Sequence, residues 1–421
     1  MRIVLLLFAF AFSFGLTLEE ALQKAVEKSP ELSAKRHALM SKKELLRSEK
    51  QLFLPELFAS YRFSMQSEGQ SINIPGFMGL APISFESSKR SYQTFQAGLR
   101  QTLFDGGLRS SAVEVAEALV KVAQEELNEG LLDVKLKTAT AYLDVLSAKA
   151  LVEVYEKQLS AVSSDLRLRE AFFKEGLVAI TDVLQARVRL SEVQRDLRQA
   201  QGNYRIALEN LSRLTDLPPQ ELKDLREPKV EPKEVELESL LQTALEKRPL
   251  LRLARERVRL SRAQTKAELS AYYPKVFLEA TYNYSDQNSA ISPKGFFSLG
   301  VGFVVSFQSF RPYYRALAKV QEERQYLQEL KDLERMVELE VKSAYERYLT
   351  AKENLRVAEE SLKFAEEFYR LSLEQYKNQL ISGTDLLQAE ASLTQARKAR
   401  VISYYELLKA YYELLRAVGE L

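Results

Sequence analysis

The sequence predicts a mainly α-helical protein that also carries membrane-type β-strands and is built from an internal duplication. Three observations predict this fold class. Phrases of the first half recur in the second, long segments show a heptad pattern of apolar residues, and four short segments alternate apolar with other residues. Gly and Pro are scarce, with 15 and 12 residues among 421, which is typical of long helices.

The duplication is visible as phrases repeated at a nearly constant spacing. ITDVLQAR (180–187) returns as GTDLLQAE (383–390), 203 positions further on. LTLEEALQKAVEKSP (16–30) returns as VELESLLQTALEKRP (235–249) at a spacing of 219. The larger early spacing indicates an insert in the strand region of the first copy. A period of this kind predicts one structural unit used twice, with the two halves interlocked.

Each half is expected to run from a shorter helix through two strands to a long helix and a second shorter helix. The predicted boundaries are a signal peptide at 1–15, a first repeat at 16–215, a linker at 216–234 and a second repeat at 235–421. The predicted elements of the first repeat are a helix at 18–52, strands at ~57–66 and ~92–104, a long helix at ~108–173 and a helix at ~180–215. Those of the second repeat are a helix at 237–271, strands at ~276–285 and ~296–307, a long helix at ~313–378 and a helix at ~384–417.

The N-terminal segment MRIVLLLFAFAFSFG fits a secretory signal peptide cleaved near Gly15. Its apolar run of about a dozen residues is short for a transmembrane helix, which needs about 20. An uncleaved anchor is the alternative. No other apolar stretch approaches that length, so entry into a membrane would have to use strands.

The two long helices carry apolar or small residues at alternating steps of three and four, from Leu131 to Leu166 and from Val337 to Tyr369. This 3.5-residue repeat is typical of helices in a left-handed supercoil. At 1.5 Å per residue each long helix would measure roughly 100 Å.

The four predicted strands alternate in character, as in LFASYRFSM (57–65) and VFLEATYNY (276–284). A period of two over nine to eleven residues is typical of membrane β-barrel strands, and a half-buried soluble sheet is the alternative. Four strands in lipid would leave two unpaired edges, where each unsatisfied backbone group costs several kcal/mol. Closure would therefore need further copies, and either two or three copies would form a barrel.

Composition excludes several other function classes. The 60 basic and 58 acidic residues nearly cancel, and no basic stripe interleaved with aromatics predicts nucleic-acid binding. There is no cysteine, and the single His37 cannot form a zinc site by itself. No phosphate loop, nucleophile elbow or metal cluster is present in the sequence. We therefore expect no enzymatic activity, catalytic residue, metal or cofactor.

The strand-ending segment TLFDGGLRSSAVEVAEA (102–118), the segment EGLVAITDVLQARVRLSEVQRDL (175–197) and the duplication resemble TolC-type outer-membrane efflux channels over nearly the whole mature chain. The resemblance implies a homotrimer with a twelve-stranded transmembrane β-barrel, four strands per chain, continued by a periplasmic α-helical barrel. Linker 216–234 would lie in a girdle around it, and loops 67–91 and 286–295 would face outside.

The implied function is a passive exit duct in a tripartite efflux or type I secretion system. A periplasmic adaptor and an inner-membrane pump would open it at its helical tip. Drugs, metal ions, peptides and proteins remain alternative cargoes. A secreted coiled-coil scaffold or adhesin with a small β head is the competing function.

The resemblance also implies functional residues at the tip, where each long helix turns into a short one. The implied gate residues are Thr181, Asp182, Tyr376 and Asp385. The implied adaptor-docking residues are Gly176, Leu177, Thr181, Leu380 and Thr384.

A ring of the two aspartates, repeated around a trimer axis, would favour cations. Helix capping by Asp182 and Asp385 is the alternative interpretation. Some positions depart from the family pattern: Gln379 replaces a usual Gly, Ile381 replaces an Arg latch, and Gln388 replaces a second acidic residue. These departures predict a weaker latch and a less negative constriction.

Overall fold

A computed structural model describes residues 15–79, 81–228, 236–307 and 309–421 of the protein. Apart from Gly15, the predicted signal peptide lies outside the described residues. The same holds for the predicted linker beyond residue 228.

The described chain is mostly helical with a small amount of sheet, and most element boundaries lie within two residues of those predicted. The helices are α1 Leu18–Lys28, α2 Pro30–Gln51, α3 Leu108–Lys174, α4 Ile180–Thr215, α5 Leu237–Lys247, α6 Pro249–Leu269, α7 Arg311–Lys377 and α8 Gly383–Val418. The strands are β1 Glu56–Met65, β2 Gln70–Ile74, β3 Ile83–Ser88, β4 Ser91–Phe104, β5 Lys275–Ser285 and β6 Gly295–Val304.

The prediction of one unbroken helix before each strand region was wrong. Each is split immediately before a proline, at Ser29 and at Arg248, whose ψ angles are 118° and 120°. The proline ring disfavours helical backbone at the preceding residue, yet proline itself fits the first turn of the next helix. Pro30 and Pro249 therefore begin α2 and α6.

Two strand predictions also need correction. The insert predicted as an external loop at 67–91 contains an antiparallel hairpin of β2 and β3. The last strand ends at Val304, three residues earlier than predicted.

Among the described helices, none combines the length and the apolarity needed to cross a lipid bilayer.

The main sheet has the order β1-β4-β5-β6, with every neighbouring pair antiparallel. The central pair, β4 and β5, joins a strand of the first half to a strand of the second. Among the described residues β1 and β6 pair on one side only, so both edges of the sheet are open.

The two faces of this sheet differ in chemistry. One face is apolar and exposed, with Leu57 77%, Phe297 84% and Leu299 74% accessible. On the other face Arg100 Nε donates to Glu279 Oε2 at 2.7 Å. A sheet in water normally buries its apolar face, so this face requires a non-aqueous neighbour.

The chain divides into two compact units, each containing segments of both predicted repeats. One unit comprises the described residues up to His37, Glu125–Arg252 and Lys331–Leu421. The other comprises Ala38–Gln124 and Leu253–Leu330 and holds the sheets.

The core of the first unit is centred on α3, α4 and α8 around Tyr142, which is fully buried. The Tyr142 hydroxyl donates towards the carbonyls of Leu16 and Arg226, at 2.7 and 2.6 Å. This ties the start of the described chain to the segment that follows α4.

A partly buried ion cluster connects α3, α7 and α8 to Arg248, the residue before α6. Arg248 is 1% exposed, and its guanidinium donates to Glu129, to Glu340 and to the carbonyl of Arg416. Arg416 in turn pairs with Glu129, Asp133 and Glu340. Arg248 Nη1 also donates to the Ala417 carbonyl at 3.1 Å, at the C-terminal end of α8, where the last carbonyls of a helix lack partners within the helix.

Candidate functional site

The candidate site is the tip, which we define as the α3–α4 turn (175–179), the α7–α8 turn (378–382) and the helix ends beside them. In the first turn Gly176 has φ +77°. Its N–H donates to the Phe173 carbonyl at 3.0 Å, and the Leu177 N–H donates to that of Phe172 at 2.9 Å. This pair of bonds is the Schellman motif, which needs a left-handed residue and so favours glycine.

The second turn has the same geometry without the glycine. Gln379 has φ +58°, its N–H donates to Tyr376 at 2.9 Å, and the Leu380 N–H donates to Gln375 at 2.9 Å. Left-handed backbone costs an L-residue with a side chain roughly 1–2 kcal/mol. Gln379, where the family pattern has glycine, therefore adds backbone strain to the second turn, and the second turn still has the same hydrogen bonds as the first.

The predicted docking residues lie on the surface of the tip. Leu177 is 53% exposed and Leu380 is 72% exposed. Thr181 and Thr384 are exposed at the second positions of α4 and α8. The helical hairpins α3–α4 and α7–α8, called the first and second hairpin below, thus present similar apolar and hydroxyl groups.

Asp385 is engaged by the start of its own helix. Its backbone N–H donates to Ser382 Oγ at 3.2 Å, and its carboxylate accepts from the Ser382 N–H at 3.0 Å and from Ser382 Oγ at 2.7 Å. This is a capping box. These hydrogen bonds hold the pKa of the Asp385 carboxyl below its usual value.

Asp182 makes half of that arrangement, because Ala179 stands in place of the serine. Its carboxylate accepts from the Ala179 N–H at 3.3 Å. Each aspartate is thus the third residue of its helix, and its carboxylate accepts from the backbone N–H of the residue that precedes the helix. Both turns therefore contain a hydrogen bond of the kind that helix capping predicts.

Tyr376 is buried, 5% exposed, and faces the first hairpin. Its ring centroid lies 6.2 Å from that of Phe172, and the Arg169 guanidinium carbon lies 5.3 Å from it. The hydroxyl has no hydrogen-bond partner within the described chain, including Thr181 and Asp182. Burial raises the pKa of Tyr376. The structure thus packs this ring against the neighbouring hairpin without a hydrogen bond to the other gate residues.

The residue that sequence reasoning missed is Arg169, which is 0% exposed. Its Nε donates to Asp165 Oδ2 at 2.8 Å, and its Nη2 donates to the Gly383 carbonyl at 2.9 Å. A Cβ on Gly383 would lie 2.3 Å from Arg169 Nη1. Arg169 therefore links the first hairpin to the start of α8 and uses the space that the glycine leaves. The sequence contains one signal for it. The heptad pattern of apolar or small residues on α3 ends at Leu166, and its next position, three residues later, is the charged Arg169.

A second polar link lies further along the same helices. Glu390 is 7% exposed and accepts from Gln158 Nε2 at 2.8 Å and from Arg189 Nη2 at 3.2 Å. The contact joins α3, α4 and α8 within one unit.

A cavity of about 270 Å³ lies between the Arg169 and Glu390 links and is lined mainly by apolar side chains of α3, α7 and α8, together with Asp165. Among the described residues, no group of three metal-ligating side chains comes together. What the tip offers chemically is hydrogen bonding, charge and exposed apolar surface.

Comparison with known proteins supplies the context. The sequence model of the family described as outer membrane efflux protein matches residues 21–216 and 240–420. The chain is 26% identical over 191 residues to outer membrane efflux protein BepC of Brucella suis biovar 1 (strain 1330), covering 45% of this chain and 38% of that one. It is 30% identical over 156 residues to outer membrane protein TolC of Escherichia coli (strain K12), covering 36% and 31%. The matches thus span about a third of each curated relative.

Solved structures share the fold over much more of the chain. The outer membrane protein VceC of Vibrio cholerae superposes with a TM-score of 0.77 at 18% identity, covering 96% of each chain. The CmeC outer membrane channel of Campylobacter jejuni gives 0.77 at 16% identity, covering 96% of this chain and 85% of that one.

Proposed function

Because the chain belongs to the outer membrane efflux protein family, we propose that it forms the exit duct of a tripartite efflux or type I secretion system. The protein lies in the outer membrane, with its helical part in the periplasm. In this proposal the duct is a passive homotrimer without catalytic activity. It is opened at the tip by a periplasmic adaptor and an inner-membrane pump.

The observation that carries the proposal is the four-stranded sheet with an exposed apolar face and two open edges. An edge strand leaves a row of N–H and C=O groups that must be paired where lipid excludes water. Pairing β1 of one copy with β6 of the next satisfies both edges. Three copies would give a closed barrel of twelve strands with room for a lumen.

The proposal includes an internal duplication. α3 and α7 each have 67 residues, α4 and α8 each have 36, and both pairs begin 203 positions apart. In a trimer, two hairpins per chain would give six similar hairpins around one axis.

At the tip we assign gate roles to Thr181, Asp182, Tyr376 and Asp385. This is supported by the placement of both aspartates at equivalent helix starts and by the packing of Tyr376 against the other hairpin. We assign adaptor docking to the exposed groups at Gly176, Leu177, Thr181, Leu380 and Thr384. The exposed leucines support that role, since an apolar surface favours a protein partner.

Purified protein tests the proposal. The duct predicts a trimer that is extracted only by detergent and gives stepwise conductance in planar bilayers. A secreted scaffold or adhesin predicts a rod that is soluble without detergent and gives no conductance. The second result would reject the duct.

A further inference from the structure

The cavity between the Arg169 and Glu390 links contains none of the residues assigned above to the gate or to adaptor docking. It lies within one compact unit, between α3 of the first hairpin and α7 and α8 of the second. Its volume is about 270 Å³. An apolar cavity of about 150 Å³ is enough to bind benzene, so this cavity has room for a bicyclic molecule.

The wall of the cavity is mostly apolar. Tyr369 contributes an aromatic ring, and Ser164 and Lys377 are exposed residues of the lining, where the cavity opens to solvent. The apolar lining residues are Ala161, Val162, Leu168, Leu373, Leu386 and Leu387. Cavities of this kind bind apolar molecules and use a small number of polar groups to orient them.

One hydrogen-bond acceptor in the wall is open. Asp165 Oδ1 is buried and has no hydrogen-bond partner within the described chain, whereas Asp165 Oδ2 accepts from Arg169 Nε at 2.8 Å. Burial raises the pKa of the Asp165 carboxyl, although the Arg169 guanidinium opposes that shift. A buried acceptor without a donor is costly, so a ligand that donates to Asp165 Oδ1 would be favoured.

Both carboxylates in the wall already have a charged partner. Asp165 pairs with Arg169, and Glu390 pairs with Arg189. Glu390 Oε1 also accepts from Gln158 Nε2. The ligand therefore has to supply one donor to Asp165 Oδ1 and needs no charge of its own.

We propose that this cavity binds a small, uncharged and mainly apolar molecule with one O–H or N–H donor, of about the size of a naphthol. Its rings contact the leucines of α7 and α8, and its donor bonds to Asp165 Oδ1. Because the ligand contacts α3 and α8 together, its binding stabilises the contact between the two hairpins. Every lining residue belongs to one chain, so the site does not depend on the proposed duct or its trimer.

Two ligands that differ in the donor alone test the proposal on the unmodified protein. Isothermal titration calorimetry of the detergent-solubilised protein, against protein-free detergent and near neutral pH, compares 2-naphthol with 2-methoxynaphthalene. We expect one saturable site per chain for 2-naphthol and about tenfold weaker binding of the ether, which cannot donate to Asp165. Equal affinities, or no saturable site for 2-naphthol, would overturn the inference.

Asp165→Asn tests the acceptor itself. The side chain keeps its size, and an amide whose oxygen accepts from Arg169 turns its NH₂ group towards the cavity in place of Asp165 Oδ1. We expect the variant to bind 2-naphthol about tenfold more weakly and 2-methoxynaphthalene no more weakly than the unmodified protein does. A parallel loss of both ligands would contradict the role of Asp165 as the acceptor.

Ala161→Phe tests the location of the site, because it fills the cavity with the residue that α7 has 203 positions later, Phe364. This variant should lose the binding of both ligands. Ser160→Phe is the matched control, since Ser160 is exposed and does not line the cavity, and it should bind as the unmodified protein does. Circular dichroism checks that each variant is folded. Unchanged binding by a folded Ala161→Phe variant would place the ligand elsewhere and overturn the inference.

Discussion

At the scale of single residues, Arg169 shows how a buried charge is accommodated at the tip. An unpaired buried charge is costly, and a paired one is tolerated when hydrogen bonds satisfy it. Asp165 accepts from Arg169 Nε and the Gly383 carbonyl accepts from Nη2, while Nη1 has no hydrogen-bond partner within the described chain and the Tyr376 ring lies alongside the guanidinium. The position of α8 relative to α3 therefore depends on a guanidinium fitting against a residue without a side chain.

Gly383→Ala should destabilise the protein by about 1–3 kcal/mol, because the new methyl group overlaps the Arg169 guanidinium and forces it to move. Urea-induced unfolding in detergent, followed by circular dichroism, measures the change. Gly202→Ala in α4 is the control, since its Cβ meets open space, and it should stabilise by about 0.5–1 kcal/mol. Equal effects of the two variants would contradict the packing argument.

Ser382→Ala should raise the pKa of the Asp385 carboxyl towards its ordinary value of 3.8, because it removes the hydrogen bond that the serine hydroxyl donates to the carboxylate, the largest cause of the lowered pKa. A lowered pKa means that the capping contact stabilises the folded state above pH 3.8 and is lost as pH falls through the folded pKa. Carbon-13 NMR of labelled aspartates measures it. An unchanged titration in the variant would contradict the capping role.

The sequence allowed some of these residues to be predicted and not others. Asp182 and Asp385 were found because the repeat placed the same Thr-Asp pair in both halves. Arg169 and Glu390 act through contacts more than 200 positions away in sequence, and their equivalents, Ser372 and Arg187, differ in chemistry. Comparing the two halves of the sequence therefore could not reveal these contacts, because the residues that make them occur in one half only.

At the scale of elements, periodicity predicted the long helices and the main strands because packing follows the same period as the sequence. The prediction failed where local backbone rules dominate. Pro30 and Pro249 break helices whose apolar pattern continues across the break. The β2–β3 hairpin was missed because its strands are short and flank the irregular segment around Pro75.

The two tip turns offer a reciprocal test of backbone strain. Gln379→Gly should stabilise the protein by up to about 1 kcal/mol, since glycine adopts positive φ freely and part of that gain is offset by unfolded-chain entropy. Gly176→Ala should destabilise it by about 1 kcal/mol, because its Cβ meets open space and only the φ of +77° opposes it. Chemical denaturation of both variants measures the pair. Shifts of the same sign would contradict the shared turn geometry.

At the scale of the whole molecule, the apolar face of the sheet determines where the chain is stable. Leu299→Arg places a charge on that face and should reduce stable membrane assembly, with a cost of about 2–4 kcal/mol if the residue lies near the bilayer midplane. Gln96→Arg, on the opposite face, is the control and should assemble normally. Quantifying folded trimer in outer-membrane fractions measures both. Normal assembly of the Leu299 variant would contradict lipid contact.

The proposed charge ring at the tip is tested by conductance. Asp385→Ala should reduce cation selectivity and weaken block by multivalent cations, because in the proposed trimer it removes one carboxylate per copy from the charge ring. Reversal potentials in planar bilayers under a salt gradient measure selectivity. Unchanged selectivity and block would leave Asp385 with a capping role only.

The open edges of the sheet have a consequence for biogenesis. A newly exported copy that has not met its neighbours exposes β1 and β6 together with an apolar face. Such edges are templates for indiscriminate strand pairing and aggregation. We therefore expect these strands to need shielding from water and from one another until neighbouring copies pair with both edges.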